Sequence, residues 1–201
     1  MKKLNVLLAA LVGIISFGAC IKGDDNTYDA ATQLGIEKPL IEDYIAQQGL
    51  TGIAQAHKLS DVAGDVIYYV LDNPGTGNFE YKLDTLNNTV GFRADTLIAK
   101  YTGKLLNGTT FGQEENYKFN FNSTIYGWAI ALGPKTIHQS GGLTDYPLNG
   151  ITENGLQKGG KIRIILPSYY AYGNQSSSVF PANSPMDFTI ELTDIKPYIK
   201  K

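Results

Sequence analysis

The chain has one cysteine, Cys20, in 201 residues, so no disulfide can form within it and its stability has to come from packing. Histidines are scarce too. His57 and His138 stand alone, with no second ligand at a useful spacing, so no metal site is legible, no cofactor is implied, and each reads as a surface residue. No serine or cysteine stands beside a base in a recognisable catalytic motif, which leaves covalent catalysis without a candidate. Gly75-Thr76-Gly77 is not a phosphate loop, because Glu80 follows and a turn accounts for the glycines. Positive charge is in short supply: the formal net charge is −2, and loss of Lys2 and Lys3 would take it to −4. That balance excludes nucleic acid as the expected partner. A membrane-crossing helix needs about 20 apolar residues, and the apolar stretch at 4–17 falls short before the sequence turns polar.

What is present begins with that stretch. Lys2 and Lys3, the apolar run and Gly18-Ala19-Cys20 have the layout of an export signal, removed at residues 1–19. Phe17-Gly18-Ala19-Cys20 resembles the lipobox of bacterial lipoproteins, with Phe17 where that pattern usually has Leu. The resemblance implies acylation of Cys20 and attachment to a membrane through the N-terminal lipid. Ile21-Lys22-Gly23-Asp24-Asp25 is similar to the acidic export tag of Bacteroidetes lipoproteins. Together they imply a cell-envelope location at the outer membrane, periplasmic or surface-exposed.

The rest divides into a tether with a short helix over 20–60 and a main domain over 61–201. Residues 21–35 are small and polar. Pro39 suits a first helical turn, Leu40, Ile41, Tyr44 and Ile45 repeat at helical spacing, and Gly49 suits the end, which predicts an amphipathic helix over 39–48. Glu42 and Asp43 favour packing on the main domain over a membrane surface. Strands follow: 66–71 closes on the turn cluster at 73–77, Asn87-Asn88 suits a hairpin tip, and 96–101, 161–166 and 186–193 alternate with period two. Such alternation predicts a sheet with one buried face. Residues 125–132 are too short and apolar for a solvated helix and predict a buried turn or short helix on the concave side. Residues 133–155, rich in Gly, Pro and Asn, predict a long surface excursion.

Aromatic residues mark the apolar face and strand ends. Taken alone they describe an aromatic core; their spacing adds more. Residues 101–111, Tyr-Thr-Gly-Lys-Leu-Leu-Asn-Gly-Thr-Thr-Phe, resemble the Y-T-G-x-L-x-(D/N)-G-x-x-F segment of the FKBP-type peptidyl-prolyl isomerases. Ile125-Tyr126-Gly127-Trp128, the strand at 159–166, Ala171-Tyr172-Gly173, and Phe180-Pro181 through Leu192 resemble four further family motifs, in the family's order. The resemblance, over 66–196, implies an α+β fold: an FKBP-like bent antiparallel β-sheet wrapped round a short helix, here preceded by an N-terminal helical segment. It also implies X-Pro isomerisation in an aromatic pocket, with Tyr101, Phe111 and Tyr172 as the catalytic set. Ile125, Trp128, Phe180 and Phe188 would line the pocket, Trp128 as its floor, and Phe119 or Phe121 would supply a further wall. The implied partners are proline-containing peptides or unfolded exported proteins, and a macrolide immunosuppressant as ligand.

Two departures stand out. The family usually has an acid after the Phe111 position that braces the pocket tyrosine, and this chain has Gly112, leaving Glu114 or Glu115 to reach Tyr101. The 133–155 insertion replaces a much shorter link and could screen the pocket or hold a partner. Both departures raise an alternative: an FKBP scaffold, weak or inactive in catalysis, that binds peptides or proteins.

Overall fold

The computed structural model describes residues 28–86, 89–138 and 145–199. Cys20, the export signal and the Asn87-Asn88 tip lie outside the described residues, as does the side chain of His138. The elements run α1 (Ala30–Gln47), β1 (Gln55–Lys58), β2 (Val66–Asn73), β3 (Leu83–Leu86), β4 (Thr89–Phe92), β5 (Thr96–Leu105), β6 (Thr110–Phe119), α2 (Tyr126–Leu132), β7 (Thr136–His138), β8 (Asp145–Pro147), β9 (Lys161–Leu166) and β10 (Met186–Lys196). Six strands form one antiparallel sheet in the order β1-β2-β9-β10-β5-β6, with β3-β4 and β7-β8 as separate hairpins.

The inward residues of β9 and β10 (Ile162, Ile164, Leu166, Met186, Phe188, Ile190, Leu192) meet α2 in the main core. Because α2 is apolar nearly all round, it is buried on almost every side, as its sequence requires. Register shifts interrupt the pairing of β5 with β6 and of β5 with β10. Bulges of this kind bend strands and increase twist, which suits a sheet curved round a helix.

The expectation of one buried face holds only in part. Ile165 on the outer face of β9 packs with Ile41, Tyr44 and Ile45 of α1. Under the same helix, buried Asp187 accepts hydrogen bonds from Tyr44 Oη (2.8 Å) and from Arg163 Nε and Nη2 (3.0 and 2.7 Å). Sequence alternation missed this layer because Asp187 and Arg163 read as solvent-facing charges. The helix itself is longer than 39–48. It begins at Ala30, where Asp29 caps the amides of Ala31 and Thr32, and Pro39 sits inside it. Pro39 removes the hydrogen bond to the Gly35 carbonyl, and burial of Leu34, Glu37, Ile41, Tyr44 and Ile45 offsets that loss.

The insertion is likewise more than a surface excursion. Ile137 and Ile151 are buried in the main core, and the Ile151 amide donates to the Ile130 carbonyl of α2. His57 is half-buried rather than exposed, its Nε2 lying 2.7 Å from the Asn149 carbonyl, which ties β1 to this segment.

Candidate functional site

Five parts of the chain bring rings to one end of the main core: β5 carries Tyr101, β6 carries Phe111 and Tyr117, α2 carries Trp128, β10 carries Phe188, and the chain after β9 carries Tyr172. Trp128 is at the centre. Its ring centroid lies 5.3 Å from Tyr101, 5.5 Å from Phe188, 6.0 Å from Tyr117 and 5.2 Å from Phe119, all near-perpendicular. Edge-to-face contacts of this kind set positive ring edges against negative faces and fix ring orientation as well as spacing. Phe111 meets Phe188 and Phe180 in the same way, at 5.5 and 5.6 Å, and Phe180 stacks on Tyr172 at 4.6 Å. Gly103 permits the closest part of this packing: a Cβ there would sit 2.7 Å from Phe111 Cζ and 2.9 Å from Phe188 Cε1.

These rings enclose an open cavity of about 470 Å³, lined by Tyr101, Phe111, Tyr117, Ile125, Trp128, Tyr172 and Phe188, with Ser123, Thr124 and Ala171 at its edge. Of the residues expected from the sequence, Tyr101, Phe111, Ile125, Trp128, Tyr172 and Phe188 line it, and Phe180 joins it through its ring contacts. Neither candidate for the further wall does so. Phe119 lies behind Trp128, and Phe121 turns away to pack on Tyr81 and Phe92. Tyr117 supplies that wall, being two residues before Phe119 and so on the same face of β6; the period-two spacing carried the signal.

The cavity is short of internal polar partners. The buried Trp128 Nε1 has no hydrogen-bond partner among the described residues. Nor do hydrogen bonds among those residues engage the hydroxyls of Tyr101 and Tyr172, whose pKa values are both raised, in each case chiefly by desolvation. For Tyr101, Tyr117 and the charge of Glu114 add to the rise. Glu114 and Glu115 do not replace the missing acid: neither makes a hydrogen bond to Tyr101, and Glu115 pairs with Lys100 at 2.9 Å. A Cβ at Gly112 would stand 3.2 Å from Tyr101 Oη, so this is the position from which a side chain would reach that hydroxyl. Among the described residues, no group of three or more His, Cys, Asp or Glu could hold a metal.

None of the described residues of the insertion lines the cavity. Instead Pro134, Thr136, Ile137 and residues 152–155 form one side of a separate cleft of about 660 Å³, opposite Phe79 and Tyr81. Although larger, that cleft shares no lining residue with the ring-lined cavity.

A bent antiparallel sheet closed over a short tryptophan-bearing helix defines an FKBP-like domain. The solved structure of FkpA from Escherichia coli has this fold, with a TM-score of 0.53 at 21% identity, covering 83% of this chain and 63% of that one. Residues 92–193 match the family model described as FKBP-type peptidyl-prolyl cis-trans isomerase, and the chain belongs to that family. It is 29% identical over 108 residues to the FKBP-type peptidyl-prolyl cis-trans isomerase FkpA of Escherichia coli (strain K12), a match covering 52% of this chain and 32% of that protein. It is 31% identical over 102 residues to a peptidyl-prolyl cis-trans isomerase of Saccharomyces cerevisiae, covering 48% of this chain and 20% of the yeast protein. The match thus spans about a third or less of the length of these relatives, and α1, β1 and β2 lie outside the residues matched to the family.

Proposed function

We propose that the protein is a peptidyl-prolyl cis–trans isomerase that acts on proline-containing segments of exported proteins. The observation that carries this reading is the cavity over Trp128, walled by rings and edged by the Tyr172 hydroxyl, which takes no hydrogen bond among the described residues. Rotation about an X-Pro bond gives up amide resonance against a barrier of about 18–20 kcal/mol. The twisted amide is less polar than the planar one, so an apolar pocket favours the transition state over the ground state. A million-fold acceleration corresponds to about 8 kcal/mol. No covalent intermediate or proton transfer is needed. Trp128 would underlie the proline ring, with Tyr101, Phe111 and Phe188 as walls and Tyr172 Oη donating to a peptide carbonyl. A macrolide seated over Trp128 would compete with the peptide.

We further assign Cys20 as a lipidation site, on the resemblance of 17–20 to a lipobox, with the protein held at the outer membrane. Seven residues lie between Cys20 and Tyr28, a span of eight residue steps that reaches no more than about 29 Å. Tyr28 stacks on Tyr169, close in sequence to Tyr172. An acyl anchor would therefore keep the Tyr172 side of the pocket near the membrane surface.

The test is catalysis of cis-to-trans isomerisation of a short X-Pro peptide, with Tyr172→Ala and Phe111→Ala as controls. Turnover lowered by about tenfold or more in both variants supports the assignment. Wild-type protein that binds the peptide without accelerating isomerisation would make it a binding module. For the anchor, a Cys20→Ala chain should move from the membrane fraction to the soluble one, and unchanged partition would refute lipidation.

A further inference from the structure

Glu37 of α1 is 1% exposed, lies outside the residues matched to the family, and has no part in the chemistry proposed for the pocket. A buried carboxylate is costly unless its oxygens are fully engaged. Those of Glu37 are. One accepts from the Ser168 backbone amide at 2.6 Å, and the other from Ser168 Oγ and Gln33 Nε2, each at 2.6 Å. Ser168 opens the short 3₁₀ turn over Ser168–Tyr170, and the residue before it, Pro167, has no side chain that could cap that turn. Helix and turn starts leave amides without internal partners, and here the cap comes from a helix 131 residues away in sequence.

The turn passes this anchorage directly to the pocket. The Ser168 carbonyl accepts from the amides of Ala171 and Gly173, both at 2.8 Å, which are the residues on either side of Tyr172. Gly173 in turn accepts from the Asn183 amide at 2.9 Å, tying in the loop that carries Phe180. From Glu37 to Tyr172 every link is a hydrogen bond or one peptide unit, and Phe180, stacked on Tyr172, lies three residues before Asn183.

We infer that Glu37 is a positioning residue for the prolyl site: the N-terminal helix, through this carboxylate, sets where Tyr172 stands at the pocket mouth. This rests on the isomerase reading for its peptide arm only. The experiment uses the full chain with Glu37→Gln, which keeps the shape but replaces one acceptor by a donor, and Glu37→Ala. Three readouts are taken well below each variant's Tm: hydrogen exchange at Ala171 and Gly173, peptide affinity from the fluorescence of Trp128, the one tryptophan in the sequence, and kcat and KM separately. Loss of one or more charge-assisted hydrogen bonds should raise exchange at Ala171 and Gly173 by about tenfold, with β10 unchanged, and should raise peptide Kd and KM by about fivefold, with Gln intermediate. Unchanged exchange at those two amides, or faster exchange with Kd and KM within about twofold of wild type, would reduce Glu37 to a structural contact and overturn the proposal. Should the wild type bind peptide without turning it over, the isomerase reading fails while Kd still judges Glu37. Should it bind no peptide, exchange alone decides, and unchanged exchange refutes the role.

Discussion

The two faces of the central sheet use polar groups in opposite ways. Under α1, the buried carboxylates are fully engaged: Asp187 holds Tyr44 and Arg163, and Glu37 holds Ser168 and Gln33. On the concave side, Trp128 Nε1 and the hydroxyls of Tyr101 and Tyr172 surround a cavity and take no protein partner among the described residues. One face therefore serves as a support, while the cavity on the other keeps hydrogen-bonding capacity free for something that enters, although polar groups elsewhere in that core, such as the Tyr81 hydroxyl, are engaged. A buried polar group left unpaired costs about 1–3 kcal/mol; of these three groups only Trp128 Nε1 is fully buried, and a bound peptide that accepts from it would relieve that cost.

Where a polar group of the supporting face has no hydrogen-bonded route to the pocket, as Asp187 has none and Glu37 has one through Ser168, its removal should cost stability and leave the site alone. Asp187→Ala strands a partly buried Arg163 and the Tyr44 hydroxyl, and should lower unfolding free energy by about 3 kcal/mol in denaturant titration, with peptide affinity kept in the folded protein. A variant of unchanged stability would remove the contrast between the faces. Tyr172→Ala should do the reverse. Tyr172 is 37% exposed, so its loss should move Tm little but lower kcat/KM about tenfold, the equivalent of one hydrogen bond and a ring contact.

Smaller effects sharpen the comparison. Gly112→Asp places a carboxylate beside Tyr101 Oη and should raise kcat/KM by about threefold if a held tyrosine is the better one; a lower value would mean that this pocket works with a free hydroxyl. Alkaline pH separates the faces more gently. Burial, then the hydrogen bond to Asp187 and that carboxylate's charge, push the Tyr44 pKa up to about 12. The folded state thus holds a proton that the unfolded chain releases near pH 10. The stabilisation is fully present below pH 10 and is lost as pH rises toward 12. Tyr44→Phe should flatten that part of the stability–pH curve, and an unchanged slope would assign it to other groups such as Tyr68, whose pKa is also pushed up to about 12.

Much of the pocket was legible because its residues sit in short contiguous motifs: Tyr101 and Phe111 flank one hairpin, Ile125 and Trp128 start α2, and Phe188 lies on the most regular strand. What the sequence hid depends on distance or on local conflict. The turn after β6 redirects Phe121 towards Tyr81, which no periodicity signals. Pro39 reads as a first-turn residue and 21–35 as small and polar, so the first six residues of α1 fall in the expected tether and the helix is expected to start nine residues late. Charged Arg163 and Asp187 fall on the face of the alternation that reads as solvent-exposed, and only the placement of α1 shows them covered. The insertion looked like loop because its two buried anchors, Ile137 and Ile151, are isolated among Gly, Pro and Asn.

The central claim is that a ring-walled cavity with free hydroxyls isomerises prolyl bonds without a nucleophile. Its most direct test is the cis-to-trans rate of an X-Pro peptide with the wild-type chain, while Trp128 fluorescence follows occupancy in the same samples. The account predicts acceleration that saturates at the peptide concentrations that change the fluorescence. A fluorescence change that saturates with no acceleration would contradict it.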